Sequence, residues 1–320
     1  MEVGKALSFG SSVPPKYIRS DQHTSVVSDS AIIPIIDLKR FLLGSLEELE
    51  KLDSACKHWG FFQVVNHGVG SSLVEKLKHE IHDFFNLSFE EKKQLWQQPG
   101  DLQGCGQLFV VSEEQKLDWA DMFFIRTLPI KHNLFAKIPL PLRDTLESYS
   151  KELKKLAILI LDKMAESLNI DGKEMEDLFN DGGQTPEQVI GLTPHSDNSA
   201  LTILLQLNET EGLQIRKDGK WIPVKPSPDS FVVNIGNIME IVSNGVYRSI
   251  EHRVMVNSSK ERLSVATFYT PKLDAKIGPA SSLISADNPA MFRTLPPEKY
   301  YKDFFARKLD GKSYLDSIRI

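Results

Sequence analysis

The stretch Gly191-Leu192-Thr193-Pro194-His195-Ser196-Asp197, followed closely by Leu201-Thr202-Ile203-Leu204-Leu205-Gln206, decides how this chain is read. His195 and Asp197 stand two positions apart. On extended backbone, residues i and i+2 leave from one face, so an imidazole nitrogen and a carboxylate oxygen can converge on one point. The apolar run after them has the length and composition of a buried strand. The same texture continues outward: short apolar runs occur at 189–192, 201–207, 213–215, 221–224, 231–235 and 263–268, divided by turn signals. Asp218-Gly219 marks a hairpin, because glycine supplies the positive φ that such a turn needs, and Asn244-Gly245 marks a second turn. Regular short strands with this punctuation predict a sandwich, barrel or jelly roll.

Upstream the pattern is helical. Ile32 to Leu38 reads as a first strand. Ser45 with Glu48, Ser72 with Glu75, and Ser88 with Glu91 each have capping-box spacing, so each predicts a helix start. Phe61 to Val65 reads as a buried strand. Residues 141–168 carry a long amphipathic stripe through Leu142, Leu146, Tyr149, Leu153, Ile160 and Met164. The expected organisation is an N-terminal arm at 1–31 and a mixed helix and strand region at 32–135. A long helix with its connector follows at 136–185, then a β-core at 186–275 and a C-terminal segment at 276–320. No polar linker separates these parts, so they are expected to pack as one α+β unit.

Composition narrows the function. The 320 residues are 41% hydrophobic and 25% charged, with a net charge of −5. That balance suits a globular chain and gives no basic footprint for nucleic acid or anionic membrane. No apolar run reaches the length of a bilayer span, and the first residues lack signal-peptide order. With only two cysteines, reduced thiols and a cytoplasmic location are expected. The expected partner is a small molecule, and the expected state a monomer.

Two further features bear on chemistry. His252 opens the segment His252-Arg253-Val254, and with His195 and Asp197 it would complete a set of two histidines and one carboxylate. Such a set leaves open positions on Fe(II). Arg262 and Ser264 are again two apart on a strand-like run, with Leu263, Val265 and Thr267 on the opposite face. A guanidinium and a hydroxyl on one inward face suit a carboxylate, although an internal Asp or Glu would serve equally as the arginine's partner.

These residues lie inside longer motifs. Ala55-Cys56-Lys57-His58-Trp59-Gly60-Phe61-Phe62-Gln63-Val64-Val65-Asn66-His67-Gly68, Val233-Asn234-Ile235-Gly236, Tyr247-Arg248-Ser249-Ile250-Glu251-His252-Arg253 and Glu261-Arg262-Leu263-Ser264-Val265-Ala266-Thr267-Phe268 occur in order. From Ile32 to Ile320 the chain resembles plant Fe(II)- and 2-oxoglutarate-dependent dioxygenases, most of all the senescence-related-gene and codeine/thebaine O-demethylase-like branch. The resemblance implies a double-stranded β-helix (jelly roll) with N-terminal and flanking helices. It implies His195, Asp197 and His252 as iron ligands, with Arg262 and Ser264 holding the distal carboxylate of 2-oxoglutarate. O₂ would be the second co-substrate and ascorbate the reductant. The reaction would hydroxylate or O-demethylate a small plant metabolite, with Phe268, Phe109 and Phe124 as candidate wall residues.

The chain departs from the family's pattern in one place. A Met-Arg-Met-Asn-Tyr-Tyr-Pro-Pro-Cys-Pro strand normally precedes the Gly-Leu-Thr-Pro-His motif, and here Gln184 runs almost directly into Thr185-Pro186-Glu187-Gln188. With it go an asparagine and a tyrosine that would help hold 2-oxoglutarate. Asp177 to Gln184, the nearby replacement material, is a poor strand former. The expectation is an unfilled ladder in the core, and the alternative reading is a shortened, impaired member that binds metal but holds 2-oxoglutarate poorly. Asn237 also stands where the family usually has aspartate.

Overall fold

The computed structural model describes residues 32–98, 101–106, 118, 121–129, 134–179, 182, 184–188, 192–257, 259–307 and 311–320. The first half is mostly helical. Strand β1 (Ile35–Asp37) leads into helices α1 (Leu38–Leu42) and α2 (Leu46–His58). Strand β2 (Phe61–Val65), helices α3 (Ser71–Phe85) and α4 (Phe89–Lys93), and strands β3 (Gly104–Gly106) and β4 (Met122–Phe124) follow. The long helix α5 (Leu140–Leu168) and α6 (Gly172–Phe179) lead into the β-core. Its strands are β5 (Gln184–Gln188), β6 (Leu192–His195), β7 (Leu201–Gln206), β8 (Leu213–Lys217), β9 (Lys220–Pro223) and β10 (Phe231–Ile235). Helix α7 (Asn237–Val242), β11 (His252–Val254), β12 (Ser264–Tyr269), α8 (Pro297–Phe305) and α9 (Ser313–Ser317) complete the chain.

The strands form two sheets. One has the order β1-β2-β10-β7-β12-β5-β4-β3, the other β6-β11-β8-β9. Alternate residues of each strand point the same way, so polar residues such as Thr202, Asn234 and Ser264 share the face that lines the cavity. On the far side of the larger sheet, α5 buries Leu142, Leu146, Tyr149, Leu153, Ile160 and Met164, the predicted stripe. The 218–219 turn joins β8 to β9 with φ of 50° at Asp218 and 76° at Gly219. No helix among the described residues is long and apolar enough to cross a membrane.

Two local expectations need correction. The core ladder is not left open: Gln184–Gln188 pairs antiparallel with β12 from Tyr269 to Val265, and on its other edge with Phe123 and Phe124 of β4. A strand forms from Thr185-Pro186-Glu187 because both flanking ladders are preformed and unpaired backbone groups there are costly. The second correction concerns caps. Helix α3 starts after Gly70 with no side-chain cap, so Ser72 and Glu75 form no box. Ser45 does cap α2, but Glu48 turns away and accepts from the Asp37 amide at 2.9 Å. The Ser88–Glu91 box is present in full.

Candidate metal and carboxylate site

Strand register explains why residues far apart in sequence meet. β11 pairs antiparallel with β6, and the pairing sets His252 directly opposite His195. Their ring centroids lie 4.3 Å apart with the planes tilted by 53°. Asp197 follows β6 immediately, and one atom from each of the three side chains falls within 4.8 Å of the others. Asp197 Oδ1 lies 3.5 Å from Nε2 of His195 and 3.5 Å from Nε2 of His252. All three residues are buried.

The tautomers follow from the backbone. His195 Nδ1 is 2.7 Å from the Thr193 carbonyl and His252 Nδ1 is 3.2 Å from the Ile250 carbonyl. A carbonyl only accepts, so each Nδ1 carries the proton and each bare Nε2 turns toward Asp197. Phe61 meets the His252 ring edge-on at 5.2 Å. Two neutral imidazole nitrogens and one carboxylate oxygen form a donor set that suits Fe(II) and leaves part of its coordination free.

Electrostatics hold these protonation states. Burial pushes His252 down to about 4, against a smaller opposing pull from Asp197. Burial alone would raise Asp197, but in acid, where the histidines are protonated, the His252 charge, the His195 hydrogen bond and charge, and the Thr202 hydroxyl more than reverse it and hold the carboxyl well below its usual range. The unfolded chain protonates His252 near 6.5 and the folded chain only near 4. Acid therefore favours the unfolded chain. The stability contributed by neutral His252 is present above pH ~6.5 and is lost as pH falls toward ~4. The expected result is that metal-free protein loses melting temperature progressively over that window. Protonation of His252 should therefore not weaken cobalt binding between pH 8 and about 5.5, where an ordinary exposed histidine would already be charging.

Arg262 lies just before β12. It is buried, and burial lowers its guanidinium to about 10, so it is charged at neutral pH. One nitrogen donates to Ser264 Oγ at 2.9 Å and another to Gln206 Oε1 at 3.2 Å, while Nε has no partner. No carboxylate among the described residues pairs with it. The internal Asp or Glu that the sequence left open is therefore not there. A buried cation held only by neutral oxygens is incomplete and fits an incoming anion.

One cavity of about 810 Å³ joins these parts. The triad, Arg262 and Ser264 line it, and so do Phe124 and Phe268. Ser264, Ala266 and Phe268 face it from alternate positions of β12, while Val265, Thr267 and Tyr269 are buried on the other side. Phe109 lies outside the described residues.

Several residues at the site had no role assigned from sequence. Thr202 and Asn234 both donate to Asp197 Oδ2, at 2.6 and 2.7 Å. Gln206 meets Arg262. The available signal was polar residues inside otherwise apolar strands, Asn234 in Phe-Val-Val-Asn-Ile above all. Gly236 is required by packing: a Cβ there would sit 2.0 Å from the Ser199 carbonyl oxygen. Asn237 keeps a backbone link, its amide donating to the Asp197 carbonyl at 2.7 Å, while its Oδ1 is buried without a partner.

Comparison with known proteins agrees with this geometry. Residues 178–271 match the 2OG-Fe(II) oxygenase superfamily, and residues 33–141 match the N-terminal region of non-haem dioxygenases in morphine synthesis. The chain is 53% identical to Protein SRG1 of Arabidopsis thaliana, over 96% of this chain and 92% of that protein. It is 48% identical to thebaine 6-O-demethylase of Papaver somniferum, with the same two coverages of 96% and 92%. The crystal structure of JOX2 in complex with 2OG, Fe and JA superposes with a TM-score of 0.90 at 35% identity, covering 100% of this chain and 98% of that one. With the β5 ladder filled, these relationships do not favour the impaired-member reading. The chain belongs to the Fe(II)- and 2-oxoglutarate-dependent oxygenases, as an oxidoreductase of the dioxygenase type.

Proposed function

We propose that this dioxygenase hydroxylates or O-demethylates a small, largely apolar plant specialised metabolite, with His195, Asp197 and His252 as its iron ligands. Arg262 and Ser264 hold the distal carboxylate of 2-oxoglutarate. The observation that carries the reading is the buried Arg262 guanidinium, which has no acid partner among the described residues and shares one cavity with the triad. Bound iron, with O₂ and 2-oxoglutarate, supplies the oxidising power to remove hydrogen from a substrate carbon, and ascorbate keeps the metal reduced.

The chain's own residues do the rest. Neutral His252 and anionic Asp197 present lone pairs without a proton to displace. Arg262 fixes one end of the co-substrate, so its other end points along the cavity toward the triad. Phe268 and Phe124 give a water-poor wall that orients the substrate by shape. Relatives support the reading: codeine, thebaine and flavonoid O-demethylases are all about half identical to the chain. One chain supplies all three ligands, which supports a monomer, and a content of only two cysteines supports a cytoplasmic location.

The test is anaerobic addition of Fe(II) and 2-oxoglutarate, read by the visible charge-transfer band of the chelate. The band should form in the wild type and in Phe268→Ala, and disappear in Asp197→Ala. No band from a cooperatively melting wild type at millimolar co-substrate would overturn the assignment. Formaldehyde release from a panel of methoxylated aromatics then separates demethylation from hydroxylation.

A further inference from the structure

We propose that Thr202 and Asn234 are positioning residues that restrict Asp197 to binding metal through a single oxygen. The inference rests on Asp197 being an iron ligand. It concerns how that ligand is held.

The two carboxylate oxygens of Asp197 have different surroundings. Oδ2 accepts from Thr202 Oγ1 at 2.6 Å and from Asn234 Nδ2 at 2.7 Å. A carboxylate oxygen has two in-plane lone-pair sites, so both of those on Oδ2 are occupied. Oδ1 faces the two Nε2 atoms. Thr202 and Asn234 are each 3% exposed, so water does not compete for these bonds.

The donors are themselves fixed. Thr202 has one hydroxyl proton, and it goes to Asp197. Ser199 Oγ, 3.0 Å from Thr202 Oγ1, must therefore be the donor in that contact. Thr202 lies on β7 and Asn234 on β10, which pair so that Asn234 stands directly opposite Thr202. The two donors thus belong to one rung of the large sheet, and the carboxylate is clamped against it. The Asn237 amide holds the Asp197 backbone from the other side, at 2.7 Å.

Denticity decides what else can bind. Three protein bonds leave three of six positions, which is the number a two-point keto acid and O₂ require. A carboxylate bound through both oxygens would take one of them. Removing the clamp should therefore preserve metal binding and damage co-substrate binding, a split that general loss of site structure would not produce.

The experiment compares wild type, Thr202→Ser, Thr202→Val and Thr202→Val/Asn234→Leu. Cobalt(II) affinity is read by anaerobic titration and by the intensity of the visible cobalt bands, and 2-oxoglutarate affinity by the charge-transfer band of the Fe(II) protein. The expected result for the double variant is metal affinity within about threefold of wild type or tighter, 2-oxoglutarate affinity at least tenfold weaker, and an altered cobalt spectrum. Thr202→Val should fall between, and Thr202→Ser should match wild type. Unchanged 2-oxoglutarate affinity would overturn the proposal. A parallel fall of metal and 2-oxoglutarate affinity would also overturn it, since that marks simple loss of the site. If the double variant does not fold, the nearly isosteric Thr202→Val decides by the same split. Retention of metal by Asp197→Ala would instead overturn the ligand assignment itself.

Discussion

Arg262→Met is expected to abolish 2-oxoglutarate binding and, at the same time, to raise the melting temperature of the free protein. Both effects follow from one observation, a buried guanidinium with only neutral partners. Without an anion the charge has lost water and gained little. Apolar replacement of poorly compensated buried charge commonly stabilises by about 1–4 kcal/mol. Gln206 and Ser264 each lose one contact, which offsets part of this, so a gain of about 2–4 °C is expected for a chain of this size. In the proposed binding mode the co-substrate's carboxylate is the missing partner, so binding changes the balance. Removing one side of a buried, hydrogen-bonded charge pair costs about 2–5 kcal/mol, a loss of roughly thirtyfold to several thousandfold in affinity. Thermal melts with and without 2-oxoglutarate check both halves. A variant that melts lower without ligand would show that Arg262 serves the fold first.

Glu240→Ala is expected to be the most destabilising single change in the C-terminal third. Glu240 is completely buried on α7. It accepts from Lys312 at 2.6 Å, from Arg319 at 3.0 Å and from the Ser249 amide at 2.7 Å. Lys312 and Arg319 are 25% and 31% exposed and regain water, so the cost falls mainly on the buried Ser249 amide and the space left in the core, about 2–3 kcal/mol. The melting temperature should fall by about 5 °C. A triple change, Glu240→Met with Lys312→Met and Arg319→Met, should recover most of it, because the charges leave together. The loss should also reach the metal. Lys312 follows Gly311, whose amide donates to the Pro194 carbonyl and whose carbonyl accepts from Ser196 Oγ. Gly311 thereby covers the free edge of β6, the strand that ends in His195. Cobalt affinity measured below the melting transition should be weaker in Glu240→Ala than in the triple variant.

These cases show what the sequence could and could not convey. Strands β7, β8, β10 and β12 were legible because a buried strand needs an apolar run and a turn at each end, and both are local. Strand β5 was not. Thr185-Pro186-Glu187 has no intrinsic preference for extended pairing, and its state is imposed by β12 and β4 on either side. His195 and Asp197 were legible because alternation puts them on one face. His252 needed the longer motif around it, since only the β6–β11 register brings it to them. Glu240 gave no sign at all. Its cationic partners come from 72 and 79 residues away, and nothing local distinguishes a buried acid from an exposed one on a short helix.

The strap that begins at Gly311 also orders events during synthesis. Residues 311–319 follow every strand of the core, so a nascent chain whose β12 has just emerged from the ribosome still has β6 uncovered. Its histidines and aspartate are in place by sequence, but the edge that steadies them is still inside the exit tunnel. Metal retention is therefore expected to wait until the Gly311 segment has left the tunnel and reached the β6 edge. Ribosome-bound chains stalled just beyond β12 should retain far less cobalt than the same chains stalled with a long spacer after Arg319.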